Sequence, residues 1–230
     1  MKTIGLIGGM SWESSVVYYQ IINRKAKERL GGLHSARTLM YSVDFDEIAK
    51  LQQAGDWAAI EKLMIAAAKR LEAGGAEMVL ICANTVHIVA DGVQKSVAIP
   101  LVHIGDATGA AIKAAGFSRV GLLGTKYTME EDFLKVRLAD KFGIETIIPD
   151  EYDREKIHSI IYGELVKGEI KDESRQVYLE IIDKLSANGA EAIILGCTEI
   201  PLLVDQADTS AVLFDTTRLH AEKAVELAMS

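Results

Sequence analysis

Two kinds of stretch alternate along the chain. Short runs that are almost wholly apolar fall at residues 2–7, 38–43, 77–82, 99–104, 119–123, 144–148, 192–195 and 212–214. The longer segments between them place apolar residues every three or four positions. The first kind predicts strands buried on both faces, the second amphipathic helices. Trp57, Ile60, Met64, Ala67 and Leu71 make one such helical face over 56–74. Ile157, Ile160, Ile161 and Leu165 make another over 154–166, and Val177, Ile181 and Leu185 a third over 172–188. Helices are also predicted over 15–30, from 86 to 95, over 108–115 and 130–142, from Ile200, and over 216–229. Gly31 and Gly32, Gly143 and Gly168 sit where a helix should stop. Segment 44–55 is polar and reads as an irregular loop over a site. The alternation predicts an α/β fold, with parallel sheets covered by helices. Ligands bind such sheets beyond the carboxyl ends of the strands. The turns at 8–11, 83–85, 125–127 and 197–199 all lie at such ends.

The pattern also repeats. GAEMVLICANT, residues 75–85, lies on GAEAIILGCT, residues 189–198, with no gap as far as Cys197. In that register Cys82 falls on Gly196 and Ala83 on Cys197. IGLIG at 4–8 and VGLLG at 120–124 form a second pair, and 99–106 with 212–215 a weaker third. Two half-chains of one design predict two similar lobes facing each other, with the active site in the cleft between them.

Cys197 is where the pattern meets chemistry. The apolar run 192–195 ends at Gly196, and a new apolar segment begins at Ile200 with Pro201 in its first turn. Cys197 thus lies where a strand gives way to a helix. Backbone N–H groups and the helix dipole would favour its thiolate there, as an acid/base or a nucleophile. The same position also suits a buried structural thiol. The glycine-rich turn at 8–15 lacks the spacing of a dinucleotide fingerprint. Its glycines either just allow the turn or aim N–H groups at a small anion.

Composition narrows the field. The 230 residues are 49% apolar and 25% charged, which is ordinary for a globular chain of one large or two small domains. A net charge of −8 without a basic cluster argues against a nucleic-acid partner. No apolar run approaches the roughly 20 residues of a membrane span. Residues 1–9 read as a core strand rather than a signal peptide, so a cytoplasmic protein is expected. Cys82 and Cys197 are then expected as free thiols. The five histidines, His34, His87, His103, His158 and His220, show no metal-ligand spacing with the cysteines.

Four motifs carry a resemblance: GLIGGMSWES at 5–14, ANTVH at 83–87, LLGTKYTM at 122–129 and GCTEI at 196–200. On them the chain resembles the aspartate/glutamate racemase family over its whole length. It is most similar to the bacterial branch holding L-aspartate/glutamate-specific and broad-specificity amino-acid racemases. The resemblance implies two α/β lobes related by a pseudo-two-fold, one of residues 1–98 with 211–230 and the other of 99–210. It implies no pyridoxal phosphate, no metal, an amino-acid substrate and a homodimer. Cys197 would be one acid/base. Asn84, Thr85 and Thr198 would hold the α-carboxylate or amino group, with Met10 and Thr125 lining the site. Glu199 would orient the amino group or Cys197, Gln52 would reach the substrate side chain, and Lys167 would hold its second carboxylate. As a helix-end residue, Lys167 equally suits a solvated surface cation.

The chain departs from the family at Ala83, where cysteine or threonine is usual. Alanine can neither give nor take a proton. Water, Thr85 or a displaced Cys82 are the substitutes at hand, although Cys82 should face the lobe core because successive strand residues alternate sides. An acidic-amino-acid racemase is therefore the first expectation. A single-cysteine decarboxylase or isomerase, or a weakly active amino-acid-binding homologue, are the alternatives.

Overall fold

The computed structural model describes the whole chain, Met1–Ser230. It divides into two compact units, Met1–Ile104 with Thr217–Ser230, and Gly105–Thr216. In chain order the elements are β1 (Ile4–Gly8), α1 (Trp12–Leu30), β2 (Thr38–Ser42), α2 (Phe45–Ala54), α3 (Trp57–Ala73), β3 (Met78–Ile81), α4 (Ala90–Ser96) and α5 (Ile104–Ala114). There follow β4 (Arg119–Gly124), α6 (Lys126–Glu130), α7 (Asp132–Phe142), β5 (Glu145–Ile147), α8 (Glu151–Gly163), α9 (Asp172–Ala187), β6 (Ala192–Gly196), α10 (Ile200–Leu203), β7 (Val212–Asp215) and α11 (Thr216–Met229).

The α/β expectation holds in both units. The first sheet has the parallel order β2-β1-β3, and the second the parallel order β5-β4-β6-β7. A parallel bridge from Val79 to Leu101 continues the first sheet beyond β3. The two sheets therefore have the same strand order. β1, β3 and β6 are buried at every residue. In the first unit, alternate strand residues feed two separate cores. Ile7, Val79, Ile81 and Ala83 join Ile60, Met64 and Leu71 of α3 on one face. Ile4, Leu6, Met78, Leu80 and Cys82 join Tyr18 and Ile22 of α1 and Ala221, Ala224 and Val225 of α11 on the other. Each buried aliphatic side chain contributes about 1.5–3 kcal/mol.

The repeated Gly-Ala-Glu has one job in both units. Gly75 and Gly189 take φ of 93° and 92°, which turns the chain out of the preceding helix. The glutamate two residues on then braces the neighbouring strand. Glu77 Oε2 accepts from the Thr3 N–H at 2.7 Å, and Glu191 Oε2 from the Ser118 and Arg119 N–H groups at 2.7 and 2.9 Å. These bonds hold the Glu191 carboxyl below its ordinary pKa.

Several expectations need correction. Segment 44–55 is not a loop. Asp44 caps α2 by accepting from the Asp46 N–H, Gly55 ends it in the left-handed region, and Ile48 and Gln52 are its buried positions. Segment 99–104 is not a full strand, because Pro100 has no N–H to give and Ile104 already opens α5. Residues 126–130 form the short helix α6 capped by Thr125, and extended backbone at Glu131 separates it from α7. The boundary between units also moves, to Ile104 and Thr216. The Val79 N–H bonds Pro100 O and the Val102 N–H bonds Val79 O, so 99–102 stays with the first unit. β7 pairs with β6, so it stays with the second. No helix is long and apolar enough to cross a membrane.

Candidate active site

In the second unit, adjacent strands β4 and β6 end level with each other, Gly124 opposite Gly196. A Cβ on Gly196 would lie 2.8 Å from Leu123 O, so only glycine lets the chain turn here against β4. Cys197, Thr198 and Glu199 follow, and Glu199 precedes the four-residue α10 with Pro201 in its first turn. All three side chains are buried, with Cys197 only 8% exposed.

The three make one hydrogen-bonded group. The Cys197 thiol donates to Glu199 Oε2 at 2.9 Å, and the Thr198 hydroxyl donates to the same oxygen at 2.7 Å. A single carboxyl oxygen therefore joins the two side chains. The protonation expected for Cys197 is accordingly reversed. Burial, and then the charge and hydrogen bond of Glu199, push the thiol well above its ordinary pKa. The backbone N–H groups of Glu199 and Thr198 pull the other way, as a strand-to-helix turn should, but are outweighed. At rest Cys197 is a thiol, poised to give a proton rather than to take one.

Aromatic residues from α6 and α8 surround this group. Burial first, and then the ionised forms of Cys197, Tyr127 and Glu199, raise the Tyr162 phenol. His158 stacks at 4.8 Å on Tyr162 and edge-on at 5.9 Å to Tyr127. Burial and the Lys126 charge lower its pKa. Tyr162 and His158 were missed in the sequence, although they stand four apart and so share one face of α8. Thr125 is buried and caps α6, accepting from the Thr128 N–H at 3.2 Å. Lys167 is exposed on the 3-10 turn Leu165–Lys167, which Gly168 closes.

In the first unit, β3 is followed by Cys82, Ala83, Asn84 and Thr85, all buried, and Thr85 opens a 3-10 turn. Ala83 lies on the face of Val79 and Ile81. Cys82 lies on the opposite face, 0% exposed, where burial alone pushes its thiol far up. The turn does not rotate it out of the core. Both cysteines are free.

His87 fixes this turn from below. The Ile104 N–H donates to its Nε2 at 3.2 Å, so Nδ1 carries the proton and donates to Ala83 O at 2.7 Å. His103 packs edge-on against it at 4.7 Å. His220 of α11 is likewise committed at both nitrogens. Nε2 donates to Val102 O at 2.7 Å, and Nδ1 accepts from the Tyr18 hydroxyl at 2.8 Å. Burial lowers its pKa from 6.5 to about 4. The sign follows directly: a histidine kept neutral in the fold gives its full stability above about pH 6.5, and this is lost as pH falls toward 4. An NMR titration should show the His220 ring still neutral at pH 5. A midpoint near 6.5 would mean that its bonds to Tyr18 and Val102 do not hold.

The glycine-rich turn is also committed. The Gly9 N–H donates to Ser15 Oγ at 2.7 Å, and that hydroxyl donates to Ser11 O at 3.1 Å, so this amide does not face an anion. Gly9, at φ 91°, is pressed against the Val43 backbone, where a side chain would collide. Ser11 caps α1. Met10 is buried in the core cluster of β3 and α3, and Gln52 is 3% exposed on α2. The structure thus gathers Met10, Gln52, Ala83, Asn84 and Thr85 into one unit, and Thr125, Lys167, Cys197, Thr198 and Glu199 into the other.

The comparisons with known proteins agree in kind. The Asp/Glu/hydantoin racemase family matches residues 7–224. A Yersinia pestis protein solved as a candidate Asp/Glu racemase is 51% identical, with a TM-score of 0.93 over all of both chains. An aspartate racemase homologue from Pyrococcus horikoshii is 38% identical, with a TM-score of 0.87, again over all of both chains. The broad-specificity amino-acid racemase of Bacillus subtilis is 22% identical over 96% of each chain.

Proposed function

The chain belongs to the Asp/Glu/hydantoin racemase family, and from that premise we propose that it interconverts the L and D forms of aspartate or glutamate without a cofactor. The observation that carries this reading is the Cys197 thiol, hydrogen-bonded to Glu199 at the end of β6. Racemisation takes a proton from one face of Cα and delivers one to the other. On the other face, where Ala83 offers no base, water or Thr85 takes the Cα proton; Cys197 serves its own face as donor, its S–H proton then passing to Cα and leaving a thiolate. The Cα–H of an amino acid is a very weak acid, so hydroxyl and amide donors must stabilise the enolate that forms at the carboxylate. Thr198, Thr125, Asn84 and Thr85 are the residues proposed for this. Glu199 keeps the thiol oriented through their hydrogen bond.

Ala83 favours a second reading, in which the reaction is one-sided. A decarboxylation or a double-bond isomerisation needs only one proton donor, and Cys197 is one. Incubating each amino acid in deuterated water without added cofactor, followed by chiral analysis, separates the readings. Racemisation of aspartate or glutamate with deuterium at Cα supports the first. Loss of carbon dioxide, or deuterium entry with full retention of configuration, removes it.

The acidic preference rests on Lys167. If its ammonium holds the second carboxylate, Lys167→Leu should cost aspartate and glutamate roughly ten- to hundred-fold in kcat/KM, as expected for a hydrogen bond to a charged group. Neutral amino acids should be nearly unaffected. An equal loss for both classes would return Lys167 to the solvated surface.

A further inference from the structure

Tyr178, on α9, is 0% exposed, and its hydroxyl has no hydrogen-bond partner. An unpaired buried hydroxyl destabilises a fold, and its presence calls for a reason. Its surroundings supply one. One turn earlier on the same helix, the Arg175 Nε–H donates to Leu203 O at 2.7 Å, which ties α9 to the end of α10. Ser174 Oγ donates to Glu164 Oε2 at 2.6 Å. Residues 174, 175 and 178 share a helix face, and the Arg175–Leu203 bond sets this face of α9 beside the segment that follows β6, with Tyr178 buried one turn further along. Burial first, and then the ionised forms of Cys197, Glu199 and Glu164, hold its phenol well above the ordinary range. Of the other charged groups on this face, Glu164 is engaged by Ser174 and Lys171, and Arg175 by Leu203 and Asp172.

Resting on the racemase reading, we propose that Tyr178 is a positioning residue whose hydroxyl keeps its proton and donates a hydrogen bond to the Cys197–Glu199 pair once Cys197 has given up its own proton. At rest the pair shares one negative charge and one proton, at 2.9 Å. When the proton leaves for Cα, two buried negative groups remain side by side. Thr198 already donates to Glu199. Tyr178 is the buried donor still unspent. It has no partner in the resting state because its partner is made only during turnover.

Tyr178→Phe deletes the hydroxyl and little else. The expected result combines two opposite signs. The melting temperature should hold or rise by about 2–4 °C, since a buried unpaired group has been removed. Meanwhile kcat should fall about ten-fold or more with KM little changed. The pH profile of Cys197 alkylation, followed by mass spectrometry with sealed Cys82 as internal blank, should move up by about one to two units. Alkylation needs no turnover, so it tests Tyr178 separately from the racemase reading. A displaced profile in a protein that racemises nothing supports the coupling while removing the proposed reaction. An unchanged alkylation profile, or a lower melting temperature with no displacement, overturns the proposal.

Discussion

Serine at position 197 is expected to leave the fold intact and remove nearly all turnover. The thiol is only 8% exposed and ends a strand whose shape depends on Gly196, so a smaller hydroxyl fits without rearrangement. It would still donate to Glu199, as Thr198 does. What it loses is acidity. In the same place a hydroxyl is a far weaker acid than a thiol, and a positioned acid/base typically contributes about 10²–10⁴-fold. Circular dichroism should overlay on the wild type while racemisation falls by that order. A Cys197→Ser protein with the wild-type rate would end the site assignment.

The second large effect is a gain. Ala83 lies at the end of β3, on the face away from Cys82. In the repeat register it corresponds to Cys197, and alanine offers no proton. On the racemase reading proposed above, Ala83→Cys should raise racemisation by an order of magnitude or more, and Ala83→Thr by less, since each would restore a proton carrier at the position that matches Cys197 in the repeat. In the unmodified protein, deuterium should enter the Cα of one enantiomer faster than racemisation proceeds. Cys82→Ala should leave the rate unchanged, because that thiol is sealed in the other core. A brisk wild type that Ala83→Cys does not improve would place the second base elsewhere. Thr85 would then be the next residue to vary.

The fold was legible because it is written locally. Runs such as ILGC and VLIC are apolar at every position, and only a doubly covered parallel strand asks for that. Helix α2 was misread because its core-facing face is only Ile48 and Gln52 wide. Its signals were the caps, Asp44 and Gly55, rather than hydrophobicity. The residues that flank Cys197 were legible in GCTEI, but its protonation was not. Position predicts a thiolate, and burial against a carboxylate decides for the thiol. Neither burial nor the direction of the Glu199 side chain is a property of a short motif. Tyr162 and Tyr178 come from helices some 20–35 residues upstream, and only the packing of α8 and α9 brings them to the turn.

The return of α11 to the first unit has a consequence for how the polypeptide is made. His220, Ala221, Ala224 and Val225 close one face of the first sheet, and the Lys2 N–H bonds Ala228 O. Until α11 leaves the ribosome, α1 covers Ile4, Leu6 and Leu80 on that side without its partner helix. The second unit, by contrast, is one continuous segment, Gly105–Thr216. Its sheet is complete as soon as β7 emerges. Domains usually finish folding in the order of their synthesis. Here the half that is translated first must wait, and the half translated second can be finished before it.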